Sequence, residues 1–455
     1  MHRETIRRLS SPVPRYTSYP TAPHFHDGVT AETYASWLGT LRPQSSVSLY
    51  VHIPFCQTLC WFCGCHTQHT KRYDPVPRYL RALEAEADDV ASNIQPDHRV
   101  ERIHWGGGSP SMLQPADILA LSDTLRDRFH LSPTAEFSVE IDPRGLDEAR
   151  IDAFALAGVD RISIGVQDFD PTVQAAINRI QTFEETRACI EGFRDLGVEA
   201  INLDLIYGLP YQTRASIDRT IDDVLRLAPS RIALFGYAHV PWMKAQQRLI
   251  PDDALPDVVE RFAQANHAAH RLVAAGFVRI GIDHFARPDD PLARAAEAHR
   301  LRRNFQGYTD DPCEALIGLG ASSISMLPQG HVQNIAGNGA YIAATAEGLP
   351  TAKGYALTKD DRLRSHVIER LMCDFAFSAD ELRTLFGDAD GLVEAVLETA
   401  EDLVAFDPEA RLRREGERFF IHPPMRPFVR TVAAAFDTFF AEAASVKAGR
   451  HSVAV

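Results

Sequence analysis

Four cysteines fall within ten residues of the stretch FCQTLCWFCGCHTQ (55–68): Cys56, Cys60, Cys63 and Cys65. The other three in the chain, Cys189, Cys313 and Cys373, each stand alone. Thiolates are metal ligands and nucleophiles, so a group this dense points to metal or redox chemistry. A closed zinc site normally draws two separated pairs of ligands. Here all four thiols share one short loop, and Cys63 and Cys65 flank a single glycine. A redox disulfide needs two cysteines rather than four. Three thiolates on one loop can hold three irons of a 4Fe-4S cube and leave the fourth iron open to an outside ligand. Spacing favours an iron–sulfur site; zinc and a structural role stay open behind it. Trp61 and Phe62 either pack the loop or give a cluster apolar cover that tunes its potential.

Such a loop needs elements to hold it. From Ser46 onward, apolar or β-branched runs recur at 47–53, 102–108, 137–143, 161–169, 201–210 and 231–241. Between them, 76–94, 115–129, 146–158, 183–197 and 214–228 carry apolar residues at three- and four-residue spacing, the mark of helices. Six strand–helix repeats predict an α/β fold with a mostly parallel, helix-covered sheet. Right-handed crossovers wind such a series into an open sheet or into a full or partial barrel. In either form, chemistry collects at the carboxyl ends of the strands. The unusual residues fall there: the cysteines after the first run, Gly106 to Gly108 after the second, Glu140 and Asp142 at the third. Gln167 and Asp168 end the fourth, Asp204 lies in the fifth, and Tyr237 and His239 close the sixth.

Past residue 330 the texture changes. The stretch 334–354, rich in Gly, Ala and Thr, reads as a connector; 360–375 and 378–386 read as helices, 401–423 as a β-hairpin, and 429–444 as a last helix. The expected organisation is an N-terminal arm (1–45), a strand–helix domain (46–330), and a connector with a small helical, winged-helix-like domain (331–455).

Composition bounds the function. With 45% hydrophobic and 24% charged residues, the chain has the balance of a soluble globular protein. A formal charge of −14 argues against broad nucleic-acid binding. The arginine-rich strings 299–305 and 411–415 read as solvated faces. No run is apolar and long enough for a secretory signal or a membrane span, and the cysteines do not form a disulfide framework, so the expected compartment is the cytoplasm.

CQTLCWFC matches the CxxxCxxC motif of radical S-adenosylmethionine enzymes. RYTSYPTA (15–22), YVHIPFC, the added Cys65, HWGGGSP, VEIDPR, GVQDF, INLDLIYGLP, DHFARPDD and RNFQGYT narrow the likeness. Together they resemble the oxygen-independent coproporphyrinogen III oxidases (dehydrogenases), from about Arg15 to Leu327. That resemblance implies a partial (β/α)6-type barrel with a helical, winged-helix-like domain behind it. It implies a 4Fe-4S cluster on Cys56, Cys60 and Cys63, with Cys65 outside the ligand set. Two S-adenosylmethionine molecules are implied. Tyr50, Gly107, Glu140 and Ile324 fall where the family contacts the first; Phe62, Gly108, Ser109, Gln167, Arg179, Asp204 and Ala238 fall where it contacts the second. The chemistry suits them, since glycine lets backbone come close to a ligand and a carboxylate suits ribose hydroxyls or a sulfonium. Ser109 stands where family members carry threonine, and keeps the hydroxyl. Alone, Glu140 or Asp204 would be a cap or solvated acid, the glycines a tight turn, and Arg179 a helix-surface residue; their joint order reverses that.

The implied reaction removes carbon dioxide from the ring A and ring B propionates of coproporphyrinogen III. A 5′-deoxyadenosyl radical abstracts hydrogen from the propionate β-carbon, the substrate radical loses carbon dioxide and one electron, and two rounds leave the two vinyl groups of protoporphyrinogen IX. Arginines bind carboxylates bidentately, and Arg15, Arg287 and Arg303 are the candidates. A flavodoxin- or ferredoxin-like electron donor and a monomer complete the expectation, with no nucleic acid and no membrane insertion. The rivals are a haem-chaperone-like relative, which lacks the fourth cysteine and the RYTSYPTA arm, and a zinc-stabilised regulator, which the acidic charge and one-loop spacing disfavour.

Overall fold

The computed structural model describes residues 1–387 and 391–440. Six strands lie parallel and in sequence order: β1 (Ser46–Ile53), β2 (Arg99–Gly107), β3 (Leu131–Ile141), β4 (Arg161–Gln167), β5 (Ala200–Tyr207) and β6 (Arg231–Gly236). Helices α1 (Pro75–Asn93), α2 (Pro115–Arg128), α3 (Glu148–Leu156), α4 (Phe183–Asp195) and α5 (Arg214–Arg226) make the crossovers. Past β6 the sheet adds antiparallel β8 (His284–Ala286) and then β7 (Val278–Ile280). On the free side of β1 it adds β9 (Ala315–Leu319), parallel, then β10 (Ile324–Leu327), β11 (Gly330–Asn334) and β12 (Thr351–Ala356), all antiparallel. The edges β7 and β12 do not pair, so the sheet is a barrel left open.

Alternation decides which face does chemistry. In β4, RISIGVQ, the side chains of Ile162, Ile164 and Val166 are buried while those of Arg161, Ser163 and Gln167 are half-buried. Strand β5 repeats this, with Ile201, Leu203 and Leu205 buried and Asn202 and Asp204 half-buried. The apolar set packs with Ile190 and Phe193 of α4 and Ile217 and Ile221 of α5 in the main core, where each such side chain is worth about 1.5–3 kcal/mol. The polar set is left to line the inner face. Helix starts are fixed by side-chain caps: Asp147 for α3, and capping boxes at Thr182 and Thr213 for α4 and α5.

The C-terminal unit has its own core. Leu363, Val367 and Leu371 of the helix Lys359–Asp374 pack with Phe377, Val396 and Phe419. A hairpin of Leu412–Glu415 and Arg418–Ile421, turning at Gly416 (φ 59°), pairs with Ala376–Ser378. Val13, Tyr16 and Tyr19 of the N-terminal arm join this core, and the Tyr16 hydroxyl donates to Asp437 at 3.0 Å.

Three expectations need correction. The stretch 334–354 is no plain connector: it holds the helix Asn338–Ala344 and part of β12, and the main sheet runs past residue 330. The last helix breaks into Val429–Ala433 and a 3-10 turn, Ala434–Phe436; residues 441–444 of it lie outside the described residues. Strand β9 was not expected from its sequence, ALIGL, and it extends the parallel series on the far side of β1.

Candidate active site

The cysteine loop leaves β1 and is tied at both ends. Phe55–Cys56 pairs with Gln68–His69, and the N–H of Ser109 donates to Phe55 O at 2.8 Å. Its carbonyls face outward onto donors: Asn178 Nδ2 to Leu59 O (2.9 Å), Gln247 Nε2 to Phe62 O (2.9 Å), Gln246 Nε2 to Cys63 O (2.7 Å) and Lys244 Nζ to Cys65 O (3.0 Å). Trp61 and Phe62 pack against Val173, Ile177, Leu209, Tyr237 and Ile250. Held this way, Cys56, Cys60, Cys63 and Cys65 all line one cavity of about 400 Å3 on the inner face of the sheet.

Phe62, Gly107, Gly108, Glu140, Gln167, Arg179 and Asp204 line the same cavity. Tyr50, Ser109, Ala238 and Ile324 are not among its lining residues. Tyr50 donates to or accepts from His52 Nδ1 at 2.9 Å and stacks on His104, which reaches Glu140 Oε1 at 3.3 Å. Ser109 is buried against Ser111 Oγ (2.7 Å), and Ala238 O shares Gln247 Nε2 with Phe62 O. Ile324, on β10, packs over Gly318, the β9 partner of Tyr50. The glycines also serve the chain's own packing: at Gly107 (φ +108°) a Cβ would run into the His52 ring, and at Gly106 it would meet the Glu140 carboxyl at 2.8 Å.

Charges in this cavity are paired. Burial would raise Glu140, but His104 and the N–H of Gly107 (3.0 Å) hold it below the usual carboxylate range. Asp142 is held down against burial by Arg179 (3.5 Å) and Arg144 (2.6 Å). Burial, with Glu140 adding, pushes Asp204 up to about 6, although Asn202 Nδ2 (2.8 Å) and Ser163 Oγ (3.1 Å) donate to it. Arg144 Nη2 and Arg179 Nη1 each reach Cys60 Sγ at 3.5 Å.

The donor set fits an iron–sulfur cube better than zinc. Cys56, Cys60 and Cys63 leave one short loop into the same cavity, a donor set that suits three irons of a cube. Burial pushes the Cys56 thiol up to about 12, with Cys63 and Cys60 adding, whereas hydrogen bonding with Cys65 takes Cys63 down to about 7.

A second cavity, of about 340 Å3, adjoins the first; Cys65, Phe235 and Gln306 line both. Arg15 of the arm and Arg303 line it, together with Arg261, Arg279 and Arg430, which no sequence motif singles out. Among the described residues Asp283 is its one lining carboxylate. Burial would raise it, but His284 (2.7 Å), Arg303 and Arg15 hold it down to about 2. Arg287 lies away from both cavities. It stacks over Phe277 at 4.1 Å and donates to Ala275 O at 3.2 Å, a correction to its grouping with Arg15 and Arg303.

The model of the radical SAM superfamily matches residues 50–224. A protein named oxygen-independent coproporphyrinogen III oxidase, from Bradyrhizobium diazoefficiens, is 50% identical over 426 residues, 93% of this chain and 94% of that protein. Its namesake from Paracoccus denitrificans is 46% identical over 458 residues, covering 99% and 98%. The solved coproporphyrinogen III oxidase of Escherichia coli, described as a radical SAM enzyme, superposes with a TM-score of 0.89 at 36% identity, over 93% of this chain and 97% of that one.

Proposed function

The chain belongs to the oxygen-independent coproporphyrinogen III oxidases, and we propose that its two joined cavities divide the reaction into a cofactor chamber and a substrate chamber. The reaction is the oxidative decarboxylation of two propionates of coproporphyrinogen III to vinyl groups, giving protoporphyrinogen IX in haem biosynthesis. When bound, a 4Fe-4S cluster and S-adenosylmethionine supply the one-electron chemistry that removes hydrogen from the propionate.

Cys56, Cys60 and Cys63 are the cluster ligands in this reading, and the guanidiniums of Arg144 and Arg179 offset thiolate charge at Cys60. Glu140, oriented by His104 and the Gly107 N–H, and Tyr50, with Gly107 and Ile324, hold the first S-adenosylmethionine. A second molecule is assigned to Phe62, Gly108, Ser109, Gln167, Arg179, Asp204 and Ala238; five of these seven line the cysteine cavity. Arg15 and Arg303 take substrate carboxylates. The observation that carries the division is the shared wall at Cys65, Phe235 and Gln306, which joins a thiol-lined chamber to an arginine-lined one.

A flavodoxin- or ferredoxin-like protein is the proposed electron donor. Action as a monomer is supported by both chambers being formed within one chain, and a cytoplasmic location by the free thiols. No helix among the described residues is long and apolar enough to cross a membrane. The test is anaerobic: reconstitute with iron and sulfide, add S-adenosylmethionine, dithionite and coproporphyrinogen III, and follow product. Protoporphyrinogen IX is expected, and a cluster-loaded protein that forms none contradicts the assignment.

A further inference from the structure

Charge does not balance in the second cavity. Five arginines, Arg15, Arg261, Arg279, Arg303 and Arg430, line it with one carboxylate, Asp283, already engaged by His284. Among the described residues Arg15, Arg261, Arg279 and Arg303 form no ion pair. What the first three donate goes to main-chain carbonyls: Arg15 to Gly236 O (3.3 Å), Arg261 to Tyr237 O (2.8 Å) and Arg279 to Ile282 O (3.0 Å). The Nε of Arg261 and the Nε and Nη1 of Arg303 are enclosed without any partner. Arg430 is buried, Arg261 and Arg303 are half-buried, and Arg15 and Arg279 are exposed; burial takes Arg430 down to about 10, with Arg15 adding. Cations gathered around one cavity repel one another unless an anion joins them.

We propose that this cavity anchors the two propionates that survive the reaction, those of rings C and D, and that Arg261, Arg279 and Arg430 act with Arg15 and Arg303 to select substrate by its retained carboxylates. The inference rests on the substrate assignment above and goes further, saying which carboxylates are clamped and by which residues. Loss of carbon dioxide converts a carboxylate into a neutral molecule. A guanidinium pair stabilises the carboxylate before the C–C bond breaks and is forfeited as it breaks, so clamping a reacting propionate would raise its barrier. A retained propionate carries no such penalty. In the cysteine cavity, by contrast, Arg144 and Arg179 are committed to Asp142. The macrocycle then lies across Cys65, Phe235 and Gln306, and the product, which keeps both anchors, is held by the same arginines.

The probes are oxidised, unreactive porphyrins titrated by fluorescence into the cluster-loaded protein. Coproporphyrin III has carboxylates on all four rings, deuteroporphyrin IX only on rings C and D, and coproporphyrin tetramethyl ester none. The first two are expected to bind within about tenfold of each other, and the ester about 100-fold more weakly. Arg261→Met and Arg279→Met should weaken both acids together, by about 10- to 100-fold, with Arg279→Lys recovering part. Variants that bind both acids like the wild type, or that lose coproporphyrin alone, overturn the proposal. Folding is read separately. Each methionine removes a repelling charge, so the ligand-free variants should melt no lower than the wild type, and the rise on adding deuteroporphyrin should shrink. A lower melting point with that rise intact marks a structural role and also overturns it. A wild type that converts coproporphyrinogen yet binds deuteroporphyrin no better than the ester defeats the anchor and keeps the activity; one that makes no protoporphyrinogen defeats the activity itself.

Discussion

The two cavities share a wall and obey opposite charge rules. In the cysteine cavity, Asp142 is matched by Arg144 and Arg179, and Glu140 by His104 and a backbone N–H. In the arginine cavity, five guanidiniums meet one carboxylate. Paired charges leave a chamber near neutrality, suited to a cofactor whose charge is offset by its own ligands. Four of the five guanidiniums, those of Arg15, Arg261, Arg279 and Arg303, form no ion pair among the described residues, which suits the other chamber to an anionic substrate that arrives and departs. Proximity to the thiols therefore does not define the whole active site, and the residues that choose the substrate lie beyond Cys65.

Separating the cavities by mutation should grade the effects. Cys60→Ser is the most severe: it should abolish the broad cluster absorbance and all turnover, and survival of that absorbance would mean the ligands are misassigned. Glu140→Gln should leave iron and sulfide content unchanged while weakening S-adenosylmethionine binding by about 10- to 100-fold in equilibrium dialysis, the worth of a hydrogen bond to a charged group. Unchanged binding would move the cofactor away from β3.

In the arginine cavity, Asp283→Asn removes the lone counter-charge. The folded-state value of Asp283 is depressed to about 2, so its carboxylate contributes stability above the unfolded value near 3.8 and loses it as pH falls through about 2. The variant should accordingly be about 2 kcal/mol less stable at pH 7 in denaturant titration, the gap closing toward pH 2. It should also bind dicarboxylate porphyrin more tightly, and weaker binding would mean that Asp283 positions the arginines rather than opposing the ligand. Smallest of all is Arg287→Ala. It should cost only about 0.5–1 kcal/mol, from the lost stack on Phe277, and leave porphyrin affinity unmoved. A shift in affinity would return Arg287 to the substrate site.

What sequence made visible follows the physics of each signal. Thiol spacing and the polar residues at strand ends are local patterns, and β1 to β6 carry them in order, so the sheet and the cysteine cavity were legible. The arginine cavity was legible only at Arg15 and Arg303. Arg261 comes from the helix Val258–Ala274, Arg279 from edge strand β7, and Arg430 from the start of Val429–Ala433, three positions that only tertiary packing unites. Arg303 sits in a string that reads as a solvated face; its neighbour Arg302 does pair with Glu369 at 2.9 Å, while Arg303 turns inward over Tyr308. Arg287, one residue past β8, leaves the strand and stacks outside the cavity, which motif membership does not reveal. The glycines carry a second reason that sequence does not show: at Gly106 and Gly107 the missing Cβ also makes room for Glu140 and His52, side chains far away in the chain.

The most direct measurement follows the hydrogen itself. Coproporphyrinogen III carrying deuterium on the propionate β-carbons would be turned over anaerobically by the cluster-loaded protein with S-adenosylmethionine and dithionite. Mass spectrometry of the 5′-deoxyadenosine formed should then show deuterium, in step with the appearance of vinyl groups. Unlabelled 5′-deoxyadenosine alongside vinyl product would contradict hydrogen abstraction from the propionate at the junction of the two chambers.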